Sequence, residues 1–501
     1  MRTHLDRSHR EAARPHARRS TTVPQLPHHR SILAFVLPFL LFALAACEDS
    51  TSAPKSTAPS ASLQPETVAD ADRRSHTPLS GGATTVFDAT ANAFGHPAPN
   101  LSVAELTRHV QGDAIFSAPF SPNRSAPFPG LGPMFENSSC EACHVGDGRG
   151  RPPLAGEPFA TMLFRASIPG RGPHGGPNPV PGYGTQIELN AAPGFTPMIY
   201  ASVQYADSTG TFADGSAFQL HVPHYLFSGG YTSMPPNVLI SPRVTPVNFG
   251  SGLLEAVPEE EIRSQAYAGT ARRDGVRGRA NLVWNAIERR YAVGRFGWKA
   301  NVPNLLQQVA GAFNGDMGVT SSFFPAEPCE GVMPACSRHR ADVTDEQVAL
   351  VTFYTQTLGV PARRNLDDPT VVRGEQFFAR AGCASCHAST LTTGQLPGVP
   401  AVSGQVIHPY TDLLLHNMGP ALADNRPDFA AAGNEWRTPP LWGIGLVNVV
   451  NGHTTFLHDG RARSLLEAVM WHGGEATTAR ERVRQATAAD RAALVAFLES
   501  L

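Results

Sequence analysis

Charge is scarce in this chain: Asp, Glu, Lys and Arg make up 16% of residues, against roughly 25% in an ordinary soluble domain. The formal net charge is −2 and the body holds no basic block, so the electrostatic footprint of nucleic-acid binding is missing. Cysteine is scarce too. Seven in 501 residues are far too few for a scaffold built on disulfides. Long apolar runs are nearly absent, and the one of note, Ile32–Ala46, excludes a multi-span membrane protein. Turn-forming sequence is abundant instead: 46 Gly and 44 Pro exceed their usual combined share of ~12% and imply irregular, loop-rich structure. Apolar residues at 42% still suffice for sizeable cores, and the length suggests about two to four domains.

The N-terminus has the layout of an export signal. Seven arginines precede Ile32–Ala46, which ends in Leu44-Ala45-Ala46-Cys47. A positive flank, a short apolar core and small residues before the cut describe a secretory signal. Cys47, directly after Leu-Ala-Ala, resembles a bacterial lipobox cysteine, which becomes a lipidated N-terminus. A transmembrane anchor is the competing reading, but spanning takes ~20 apolar residues and this run is shorter and contains Pro38. The expectation is a lipoprotein signal peptide over 1–46 and a lipoprotein on the periplasmic face of a bacterial membrane. Residues 47–85, rich in Ser, Thr, Ala and Pro, read as a flexible tether.

Of the other six cysteines, four lie in Cys140-Glu141-Ala142-Cys143-His144 and Cys383-Ala384-Ser385-Cys386-His387. Both are C-x-x-C-H, the attachment pattern of c-type haem. Two thiols add to the two vinyl groups, and the adjacent His turns back to bind the iron. The motifs therefore predict two covalent haems c, with His144 and His387 as iron ligands. A thioredoxin-like redox pair and half of a zinc site are the alternatives, but neither needs a His after both pairs. Cys329 and Cys336 bracket a turn-rich stretch and, in an exported chain, predict a short-loop disulfide; a free or regulatory pair is the alternative.

Helical signals concentrate at the C-terminal end. Thr344-x-x-Gln347 and Ser464-x-x-Glu467 are capping boxes, a helix should cover Pro369–Arg380, and Thr487-x-x-Asp490 opens a last helix to Leu498. A further helix is expected over Gly252–Ala268. Alternating apolar residues around Gly and Asp turns predict a small β insertion over 183–227. The expected fold is mainly α: two cytochrome c-like haem domains, loop-rich, over 86–365 (with the insertion) and 366–501.

Several blocks carry a resemblance: Gly130-Leu131-Gly132-Pro133-Met134-Phe135, Ser241-Pro242-Arg243-Val244-Thr245-Pro246, Gly252-Leu253-Leu254-Glu255-Ala256, Arg295-Phe296-Gly297-Trp298-Lys299-Ala300, Asp316-Met317-Gly318-Val319-Thr320, Glu435-Trp436-Arg437-Thr438-Pro439-Pro440-Leu441-Trp442 and Phe456-Leu457-His458-Asp459-Gly460-Arg461. Over about 86–501 the chain resembles the di-haem oxidoreductase family of peroxidase-type proteins, and more distantly the bacterial di-haem cytochrome c peroxidases. The resemblance implies reduction of hydrogen peroxide at the N-terminal haem, with electrons relayed by the C-terminal haem from a small redox donor protein or a quinol-linked cytochrome. A non-enzymatic electron-transfer cytochrome and a di-haem oxidase or oxygenase are the alternatives. The relatives place a Trp before a Leu-x-x-Gln helix and then a Glu-Met pair. Trp298, Leu305-Leu306-Gln307-Gln308 and Asp316-Met317 are similar to that order, which implies Trp298 as the inter-haem aromatic and Asp316 as the distal acid, with Asp where the relatives carry Glu. The offset from His-Asp-Gly implies His472 as sixth ligand of the second haem, with His416, Met418 and Met470 as rivals. His458 resembles the His of that segment, and His174 is a loop candidate for the first haem. The distant relatives also bind calcium between their domains, which makes calcium a possible further ion.

Overall fold

Caps decide where the longer helices begin. The helices of six residues or more are α1 (Val103–Phe116), α2 (Ser251–Ala256), α3 (Glu259–Gln265), α4 (Leu305–Met317), α5 (Asp345–Thr357), α6 (Pro369–Ala381), α7 (Leu465–Trp471), α8 (Thr477–Gln485) and α9 (Ala488–Ser500). The structure, a computed structural model, describes residues 76–266, 275–329, 336 and 340–501. The expected signal peptide, Cys47 and most of the tether lie outside the described residues. Thr344 accepts from the Gln347 amide, and Gln347 reaches back to the Thr344 N–H, so the box that opens α5 is complete. Thr487 accepts from the Asp490 amide to open α9. At α7 only half of the expected box forms. Ser464 accepts from the Glu467 amide, but the Glu467 carboxylate takes the amides of His221 and Arg463 at 2.6 and 2.9 Å.

The helix expected over Gly252–Ala268 is two helices, α2 and α3. Proline disfavours the helical conformation in the residue before it and has no N–H to continue the ladder. Val257 is accordingly extended, and Pro258 becomes the N-cap of α3.

The strands are β1 (Met162–Arg171), β2 (Gln186–Ile187), β3 (Tyr200–Thr211), β4 (Ala217–Ser228) and β5 (Leu239–Val244), with several shorter pairs. Antiparallel β5 and β2 flank β1, with Arg165 opposite both Ser241 and Gln186. β3 and β4 form a long hairpin, paired from Tyr200↔Ser228 to Thr211↔Ala217. The β region therefore runs from Met162 to Val244, beyond the expected 183–227. A mainly α class is corrected by these strands: among the described residues helix accounts for 32% and strand for 20%, with many small sheets. The reason is physical. Most strands are two to four residues long, too few for a period of two to show in the sequence, and the longer β1 and β5 carry Pro169 and Pro242, which interrupt a strand's pattern.

Two apolar cores hold these elements. One gathers Phe313 of α4, Val351 and Phe353 of α5, Leu413 and Trp442. The other packs Phe164 of β1 with Phe378 of α6, Leu465 of α7 and Phe497 of α9. Cys329 and Cys336 are joined as a disulfide, Cα atoms 5.6 Å apart. Among the described residues no helix is long and apolar enough to cross a membrane.

Candidate functional site

Each C-x-x-C-H string is carried on a short helical turn. Ser139 caps the single turn Cys140–Cys143 by accepting from the Ala142 amide at 3.1 Å. At the other motif Gly382, with φ 91°, ends α6 in the left-handed region and drops the chain into Cys383–Ser385; only glycine takes that conformation cheaply. All four thiols, with His144 and His387, line one cavity of about 530 Å³. None of the four is disulfide-bonded. Burial pushes Cys143 and Cys383 up to about 12, and Cys140 and Cys386 upward as well. A redox-active pair is marked by a lowered thiol pKa, and burial moves these four the other way.

The histidines divide by what their ring nitrogens do. His387 Nδ1 lies 2.9 Å from the Tyr410 carbonyl and His472 Nδ1 lies 2.7 Å from that of Ala468. A carbonyl only accepts, so each Nδ1 carries the proton and each Nε2 lone pair is free, on rings that both line the cavity. Burial holds His144 and His387 down to about 4, and lowers His472 too, which keeps the rings neutral. His144 Nδ1 is buried with no well-formed hydrogen bond, although the Pro246 carbonyl bears on the ring. His416 is different: Nε2 is held by Asp412 at 2.8 Å and Nδ1 by Glu475 at 3.0 Å. Burial opposes its charge, but the bonds to Asp412, Cys386 and Glu475 override it and push the ring up to about 12. A doubly held imidazolium has no lone pair for a metal. His174 stands apart, stacked on Trp284 at 3.9 Å.

Two haems with charged propionates need more than axial ligands, and the cavity provides it. Arg437 is buried, donates through Nε to the Gly297 carbonyl, and leaves Nη1 without a partner. Arg149 and Arg243 also line the cavity. Free imidazole nitrogens, paired thiols and an unpartnered guanidinium donor together fit two haems c.

Trp298 lines the same cavity; its indole N–H donates to the Val244 carbonyl at 2.8 Å, and Arg149 lies 5.1 Å from its ring. Asp316 lies at the C-terminal end of α4, also on the cavity. Gly318, at φ 64°, ends that helix, and a Cβ there would lie 2.8 Å from Gly132 Cα. The closeness lets Gly132 N–H reach Met317 O at 2.9 Å and Glu136 N–H reach Asp316 O at 2.7 Å. Gln186 donates to Asp316 Oδ1 at 2.9 Å. Burial raises the Asp316 carboxyl, while Arg165 and Gln186 work against the shift.

Sequence reasoning missed Glu136, Glu188, Gln186 and Arg165, which surround Asp316. The available signal was a glutamate between Ile187 and Leu189, on a stretch read as a strand. Among the described residues, the one set of three His, Cys, Asp or Glu ligand atoms lying mutually within 4.8 Å is Glu327 with Cys329 and Cys336, two of which are bonded to each other.

His416→Leu should cost about 3–5 kcal/mol of stability, because Asp412 and Glu475 lose their buried cation. The His416 ring is raised from 6.5 to about 12, so its contribution is complete below pH 6.5 and is lost as pH climbs toward 12. Chemical denaturation of both proteins across that range checks the size and the sign.

A family model described as di-haem oxidoreductase, putative peroxidase matches residues 74–163 and 173–501. No curated protein matches the chain.

Proposed function

This chain belongs to the di-haem oxidoreductase family, and from that membership we propose that it reduces hydrogen peroxide to water, taking up two electrons and two protons per peroxide. Bound haem supplies the iron at which peroxide is held and through which electrons arrive. The residues do the rest. Cys140 and Cys143 would hold one haem and Cys383 and Cys386 the other, with His144 and His387 as the imidazoles offered to the iron. His472, neutral with a free Nε2, would offer a further imidazole nitrogen to the second haem's iron. Arg437, Arg149 and Arg243 receive propionates. Asp316 moves a proton between the peroxide oxygens, a role favoured by burial, which raises its carboxyl toward the working pH. Trp298 assists electron passage between the two sites.

The observation that carries this reading is the meeting of Asp316, Trp298 and both C-x-x-C-H strings on one cavity. Electron paramagnetic resonance of the oxidised and half-reduced holoprotein tests it. A high-spin signal in either form is expected, since one haem must offer an open position. Two low-spin signals throughout would assign the protein to electron transfer alone. We further propose that it acts outside the cytoplasm, anchored by lipid on Cys47, with a small redox protein or a quinol-linked cytochrome as donor; the N-terminal sequence and the resemblance support this. Cys47→Ser should leave the precursor uncleaved and free of fatty-acid label, whereas unchanged processing would point to ordinary secretion.

A further inference from the structure

Asp316 does not stand alone on its side of the cavity. Glu188 follows β2 and is 0% exposed, and neither of its carboxylate oxygens has a well-aligned hydrogen bond. Glu136 follows the short strand Met134–Phe135, is 5% exposed, and has one oxygen, Oε1, without a partner. Its main chain is tied to the Asp316 carbonyl, and the side chain of Asn190 holds the Glu136 carbonyl at 2.7 Å. Three elements thus converge three carboxyls, of which Asp316 and Glu136 line the cavity.

We propose that Glu136 and Glu188 form a buried carboxyl relay that hands protons to Asp316 during turnover.

The electrostatics agree. Burial pushes Glu136 and Glu188 well above the ordinary carboxylate range, and the neighbouring carboxyls add to it: Glu188 and Asp316 raise Glu136, and Asp316 raises Glu188. The groups opposing the shift are Arg165 from β1, Gln186 from β2 and the Leu189 amide. One arginine cannot neutralise three buried carboxylates, so burial and mutual repulsion favour the protonated form in this cluster. A divalent cation would be the other way to satisfy such a cluster. The three carboxylates do not offer oxygens mutually within 4.8 Å, so a single cation has no cage there, and a proton passing between them crosses through a bridging water or a side-chain movement.

The relay rests on the peroxide reading and completes its balance. Peroxide plus two electrons from one-electron donors and two protons gives two waters. Asp316 gives a proton to the departing oxygen, Glu136 and Glu188 replace it, and solvent restores the two protons consumed per peroxide to the glutamates between turnovers.

The test uses the holoprotein and has two readouts. The first is the midpoint potential of the N-terminal haem against pH. In the wild type it should fall as pH rises, because a carboxyl beside a reduced centre holds its proton more tightly. Glu188→Gln should flatten that slope, and Glu188→Asp should keep it. The second is peroxide turnover, expected to drop at least about tenfold in Glu188→Gln and to recover in Glu188→Asp. Unchanged slope and unchanged turnover in Glu188→Gln would overturn the relay. A slope that flattens in a protein that never turns over peroxide would support proton coupling while removing the peroxide reading. Should Glu188→Gln fail to fold, Glu136→Gln is read in the same way. Infrared difference spectra of the wild type must also show a protonated carboxyl responding to haem reduction; its absence would overturn the proposal.

Discussion

Asp316→Asn is expected to lower peroxide turnover by about 10²–10⁴-fold, the usual contribution of a positioned proton transfer, while both haem spectra stay intact. The amide keeps the shape of the side chain and its place beside Gln186, which donates to Oδ1 at 2.9 Å. It cannot carry the proton. Asp316→Glu puts the relatives' own acid on the same helix end and should retain or raise activity. Steady-state peroxide consumption by the three proteins checks this. Wild-type rates in Asp316→Asn would show that the acid lies elsewhere, and Glu136, on the same cavity, would be the next residue to replace.

The second large effect is expected at His472. Its ring and that of His387 line one cavity, each with Nδ1 engaged by a backbone carbonyl and Nε2 free. Thioether ligation favours the reduced iron relative to imidazole. His472→Met should therefore raise one midpoint potential and leave the other nearly unchanged. Spectroelectrochemical titration of the two holoproteins measures it. If neither midpoint moves, Met418, which also lines the cavity, becomes the better candidate. His416 does not, because Asp412 and Glu475 occupy both of its ring nitrogens.

What the sequence disclosed and what it concealed follow from the range of the interactions involved. The C-x-x-C-H strings are local chemistry, legible within five residues. The caps at Thr344 and Thr487 are local too, and the helices begin there. Glu467 shows the limit: it has the right type and spacing to complete a capping box, yet His221, from a hairpin more than two hundred residues earlier in the chain, takes its carboxylate. Of the strands from Met162 to Val244, the β3–β4 hairpin falls in or next to the stretch read as β, whereas β1 and β5 lie outside it and carry Pro169 and Pro242, which demote a run as a strand candidate. Asp316 could be proposed from the order Trp, Leu-x-x-Gln, acid, Met. Its partners Glu136 and Glu188 could not, because only the packing of Gly318 on Gly132 and the pairing of β1 with β2 bring those stretches together. The same packing accounts for two of the blocks behind the resemblance: the glycines at 130–135 and at 316–320 meet at that helix end.

Reduction of peroxide as proposed requires the two haem sites to act together, and anaerobic titration of the fully reduced holoprotein with hydrogen peroxide reads this out. Each peroxide is expected to remove two electrons, with both haems oxidised together at one equivalent per chain. A reduced protein that stays reduced as peroxide is added would contradict it.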